Sequence, residues 1–181
     1  MGLVLKMDFV YSPSDLLSLV IIAITMIVVI NAMLSDFRDY IIPNSSSILI
    51  LFAFLAFAGV QYNVGHVSLH EIGSSLITGV VVFLIGFTIY LFGQFGAGDV
   101  KLLSCLSLWA GMTMIVDLLL IMALSGGFLA IAYMVKQRRN AVETSQTLSN
   151  LPSQVNERLP YGIAIGLGGL YVLAMHVNTL F

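Results

Sequence analysis

The chain has 181 residues, of which 59% are hydrophobic and 9% carry charge, and its mean hydropathy is +1.03. A soluble domain spends about a quarter of its residues on charge, so this composition cannot clothe a globular surface and implies an all-α, polytopic membrane protein. A net charge of −2 gives no sign of a nucleic-acid partner, and a single cysteine, Cys105 inside an apolar run, excludes an intrachain disulfide or a paired-cysteine zinc site.

A membrane span needs about 20 apolar residues. Residues 16–35 are free of charge and make the first expected span. The preceding stretch holds one lysine and two aspartates, which is no basic leader region, so this helix is expected to be retained rather than cleaved. Residues 45–61 make a short second span and 72–95 a long third. The apolar run from 102 to 135 is too long for one crossing and is interrupted only by Asp117. It reads as two helices, 98–114 and 117–135, turning near 111–117. Residues 159–181 make the sixth. The polar stretch 136–158 is expected to be a loop or a surface-lying helix, and the whole chain a single integral-membrane domain.

Basic residues orient such a bundle. Arg38 lies in the first connection, and Lys136, Arg138, Arg139 and Arg158 lie in the fifth. Lys6 alone lies on the other side. The odd-numbered connections are therefore expected in the cytoplasm and both termini outside, in an inner (cytoplasmic) membrane. The third connection, FGQFGAGDVK, then faces the cytoplasm with Asp99.

Asp36, in SDFRDYIIPN, falls at the cytoplasmic end of the first span. Charge distribution alone thus places two carboxylates at one membrane face, and ionisable groups at that depth are functional candidates. Adjacent carboxylates hold one proton between them. The ionised member can take a proton from water as it attacks a peptide carbonyl, and the protonated member can polarise that carbonyl. Gly96 and Gly98 bare the backbone beside Asp99, which would permit unusual backbone angles and the approach of an extended substrate. Pro43 suits a helix start, and Asn44 and Ser45 can cap its amides.

Asp36 followed by Pro43-Asn44, then two spans and GAGD-VK, resembles the prepilin peptidases, the GxGD-type aspartyl membrane proteases that process type IV pilins. The segment LPYGIAIGLG (159–168) is similar to a stretch at the last helix of short members. The resemblance implies a six-helix GxGD aspartyl protease fold with Asp36 and Asp99 as the catalytic pair, acting without metal or cofactor. It also implies prepilin or pseudopilin substrates carrying a short basic leader, cleavage after a glycine, and contact with membrane lipids and possible pilus assembly machinery. Lacking a cysteine-rich region, the chain most resembles the short TadV/CpaA-type peptidases of tight-adherence (Flp) pilus systems. Archaeal preflagellin peptidases are the neighbouring family. A different class, a small proton or cation transporter subunit using Asp36 and Asp99, also fits six spans, but transport sites lie near the midplane.

Other residues carry plainer readings. Asp39 beside Arg38 reads as a solvated charge and Asp117 as a residue of the outer turn. Lys101 can tune the acids or meet lipid phosphate. His66, His70 and Glu71 have the spacing of metal ligands but sit on the opposite face, and His176 reads as interfacial. Ala164, Gly166, Gly168 and Gly169 make a small-residue face for tight helix packing.

Overall fold

The computed structural model describes residues 12–144 and 160–179, with side chains for 12–136 and 160–179. The described residues form five helices: α1 (Pro13–Asp39), α2 (Asn44–Val64), α3 (Leu69–Leu91), α4 (Ala97–Thr144) and α5 (Tyr161–Thr179). Each contains a stretch long and apolar enough to cross a membrane by length and composition. Large apolar side chains such as Ile27, Phe52, Ile77, Leu84 and Phe128 are exposed. In water they would drive aggregation; in a bilayer they face chains as apolar as themselves.

The expected six separate helices become five, because the spans expected at 98–114 and 117–135 join in α4. One residue of α4, Gly111, is non-helical (φ 54°, ψ −165°). The chain folds back there. A methyl on Gly169 of α5 would meet Leu106, before the break, while one on the adjacent Gly168 would meet the Leu118 carbonyl, after it. Further on, the Tyr133 hydroxyl lies 3.1 Å from that of Tyr40, at the end of α1. The expected turn over 111–117 thus narrows to one glycine, whose left-handed φ is cheap only without a side chain. Asp117 is an exposed helical residue, not a turn residue. The expected loop boundary at 136 also moves, since α4 stays helical through Thr144; Lys6, Arg158 and the rest of the loop lie outside the described residues.

Local chemistry sets the helix ends. Ser12 and Asp15 form a capping box with Pro13 in the first turn of α1, and Ser68 and Glu71 form another at α3. α1 stops where Tyr40 turns left-handed (φ 53°) and its N–H bonds to the Asp36 carbonyl at 3.0 Å. α4 and α5 pack closely, as the small-residue face anticipated: any side chain at Gly166 would meet Met33 of α1. Trp109 is 2% exposed, stacks against Phe57 with centroids 5.1 Å apart, and donates its indole N–H to the Ile50 carbonyl at 3.3 Å.

Candidate active site

These contacts sort the bundle into two ends. One end gathers the close of α1, the starts of α2, α4 and α5, and the end of α3. The other gathers Ser12, Gly65, Ser68, Gly111 and the close of α5. Asp36 and Asp99 both belong to the first.

Asp36 lies one turn before the end of α1 and is 5% exposed. Its Oδ2 accepts the Gly162 N–H at 2.7 Å, across 126 residues of chain, and the Ile163 amide also faces it. The first amides of a helix have no partner within the helix, and anions are favoured there. Asp36 therefore caps α5 from another helix. Asp99, three residues into the start of α4, reaches back with Oδ2 to the Gly96 N–H at 3.1 Å. Asp99 thus stands as a helix-start residue that caps its own helix.

A second glycine is thereby explained. A methyl on Gly96 would lie 2.7 Å from Asp99 Oδ2, and one on Gly162 would lie 2.7 Å from Asp36 Oδ2. Each acid is braced by the backbone of a glycine at which an added methyl would crowd the carboxylate. The expectation of unusual backbone angles at Gly96 and Gly98 is corrected: neither is left-handed, and the turn out of α3 is made by Gly93 (φ 74°). What Gly98 permits is close packing, since a methyl there would come within 3.0 Å of Ile42 Cβ.

Ile42 ties the two acids together. Its side chain is buried, touching the Gly98 position on one side and the Gly162 position, 2.9 Å from Cδ1, on the other. Phe95, just before Gly96, stacks on Tyr161, just before Gly162, with centroids 5.9 Å apart. So the starts of α4 and α5, and with them the two acids, are held at the same corner of the bundle.

The remaining motif residues form a second group. Pro43 is the N-cap residue of α2 and makes no side-chain cap bond. Asn44 does not cap either, contrary to expectation: its Oδ1 accepts the Lys101 ammonium at 2.9 Å, joining α2 to α4. Asp39 is exposed beyond the site. At the opposite end Glu71 is engaged by Ser68 in the capping box, and His176 Nδ1 meets the Val172 carbonyl at 3.0 Å. No metal-binding group of three His, Cys, Asp or Glu side chains occurs among the described residues. Sequence reasoning did not single out Gly162 or Ile42. The only signal was their position inside segments already quoted for their resemblance, IIPN and LPYG.

Neither curated proteins nor solved structures give a match to the chain. A family model, the type IV leader peptidase family, matches residues 23–131. That interval runs from within α1, through both acids and the GAGD motif, past the Gly111 reversal. With a match over more than half its length, spanning both braced aspartates, the chain belongs to the type IV leader peptidase family.

Proposed function

We propose that this protein is a single-domain, membrane-embedded aspartic endopeptidase that removes the short basic leader from type IV prepilins or pseudopilins of the Flp kind, with Asp36 and Asp99 as its catalytic pair. The observation that carries this reading is the convergence of the two acids, from separate helices, at one end of the bundle. Each is steadied by a backbone amide through one oxygen. One carboxylate takes a proton from a water molecule as that water attacks the scissile carbonyl. The other, protonated, donates to the carbonyl oxygen, and the proton gained by the first passes to the departing amine. The products are a leader with a new carboxyl terminus and a pilin with a new amine.

Substrate approach follows from position. The precursor's own apolar helix can lie in the bilayer beside the enzyme, presenting its leader junction at the level of the acids. Arg38 and Lys136 lie at the acid-bearing end, which supports a cytoplasmic active site. The Gly111 reversal supports counting the two arms of α4 as separate crossings, six in all, with both termini outside. A transporter site would sit near the midplane, whereas Asp36 is in the last turn of α1 and Asp99 in the first turn of α4.

The direct test is co-expression with a tagged prepilin, followed by mass analysis. The expected result is loss of the leader at one junction; an unaltered precursor beside well-inserted enzyme would refute the reading. Orientation is tested separately by thiol labelling of cysteines placed at Asn150 and Asn63, in a variant without Cys105. Asn63 should label from outside the cell and Asn150 should not.

A further inference from the structure

α2 and α3 make little direct contact with each other, and both pack on α4. Between them, floored by α4, a cleft of about 390 Å³ opens at the side of the bundle, a volume within the range of ligand clefts. Its chemistry is ordered by depth. At the acid-bearing end stand Lys101 and Asn44, joined at 2.9 Å. One turn deeper stand Ser47 on α2 and Ser104 on α4, the latter bonded to the Val100 carbonyl, and the rest of the lining is apolar: Ile48, Leu51, Phe83 and Cys105. Leu51 is seven residues from Asn44, about 10 Å further along the helix at 1.5 Å per residue.

Ser47 is 6% exposed, and its hydroxyl is buried without a hydrogen-bond partner, as is that of Ser18 on α1. The polar part of the cleft is therefore its mouth, where Lys101 and Asn44 stand. The cleft is also not the route to the acids. Lys101 follows Asp99 by two residues, which turns it about 200° around the helix, so an occupant on Lys101 is on the far face of α4 from the catalytic pair.

We propose that this cleft holds one phospholipid of the leaflet at the acid-bearing end. Its phosphate sits on Lys101 and Asn44, and an acyl chain lies along Ile48, Leu51, Phe83 and Cys105. A charged mouth above an apolar depth is the order of a phospholipid entering from that face, and the positive charge is complementary to phosphate. This site does not depend on the peptidase reading.

The test is native mass spectrometry of the full-length, delipidated protein in detergent, titrated with dioleoylphosphatidylglycerol. The wild type should carry one tightly held lipid. Lys101→Met should weaken it roughly tenfold, the scale of one hydrogen bond to a charged group, and Lys101→Arg should retain it. Cys105→Phe, which fills the apolar part, should remove it. Dioleoylglycerol, which lacks the phosphate, should not distinguish the wild type from Lys101→Met. Helicity by circular dichroism verifies that each variant is folded. Equal lipid retention by all variants would overturn the proposal, as would equal binding of dioleoylglycerol and phosphatidylglycerol to the wild type. So would cleft variants that raise KM for a precursor while leaving the lipid bound, because the cleft would then belong to the substrate helix.

Discussion

The two ends of the bundle use polar groups in opposite ways. At the end holding Gly111, Glu71 and His176 are spent locally. Glu71 closes a capping box with Ser68, three residues away, and His176 bonds the carbonyl four residues back. At the acid-bearing end two bonds run between helices beside the local one from Gly96 to Asp99: Gly162 to Asp36 over 126 residues, and Lys101 to Asn44 over 57. Local bonds stabilise an element whatever its neighbours do. Long-range bonds exist only when the bundle is assembled, so they couple the site's geometry to the fold. The difference teaches that two carboxylates can be gathered from ordinary helix ends, provided other helices hold those ends together.

The largest effect should come from the acids themselves. Asp36→Asn and Asp99→Asn keep size and polarity but cannot share and shuttle a proton. Cleavage should fall by roughly 10²–10⁴-fold for each, the scale of general acid–base catalysis. The double variant should be little worse than either single one, since residues acting as a unit are not additive. Asp39→Asn and Asp117→Asn should stay close to wild type. Rates normalised to membrane-inserted protein decide this, and near-normal cleavage by either Asn variant would remove that acid from the pair.

Next comes the brace. Gly162→Ala would place a methyl 2.7 Å from Asp36 Oδ2 and 2.9 Å from Ile42 Cδ1, two groups fixed by neighbouring helices. Misplacing a reacting group by about 1 Å can cost roughly 10²-fold, and cleavage should drop on that scale while helicity is kept. Gly96→Ala meets mainly the tip of the Asp99 side chain, which can turn aside, so its loss should be smaller. Kinetics of the two variants side by side give the ranking; the reverse order would mean that Asp36 is not the more rigidly held acid.

Away from the acids the readout changes from rate to stability. Gly168→Ala drives a methyl to 2.7 Å from the Leu118 backbone carbonyl, and Gly111→Ala combines a left-handed φ of 54° with a contact of 2.8 Å to Ser75 Oγ. Overpacking or such strain costs about 1–3 kcal/mol. Thermal unfolding in detergent should show lowered midpoints, with kcat of the protein that remains folded little changed. A selective loss of kcat at an unchanged midpoint would blur the contrast between the two ends.

The smallest effect belongs to the capping box. Ser68→Ala removes one cap, worth about 1 kcal/mol, more than 20 residues of helix away from the acids. A slightly lower unfolding midpoint and unchanged cleavage are the expected results, and a marked loss of cleavage would show that the two ends are coupled through α3.

The amino-acid sequence by itself determined the membrane class and the apolar stretches that become helices, and it marked the two aspartates as candidates. The reason is that these depend on local quantities: apolar length against bilayer thickness, and the rarity of charge within apolar runs. It also carried the placing of both acids at one end, through alternating helix direction. Only the tertiary structure decided that Gly111 reverses α4 at a single residue, that Asn44 bonds Lys101 instead of capping α2, and that Gly96 and Gly162 stay bare for the carboxylates they brace. Ile42 reads in the sequence as one more apolar residue of a connection, yet it is the wedge between the starts of α4 and α5. Such roles come from close approach between segments far apart in the chain. Hydropathy and spacing describe one helix at a time, and the requirement for a missing Cβ arises only where a second helix occupies the space.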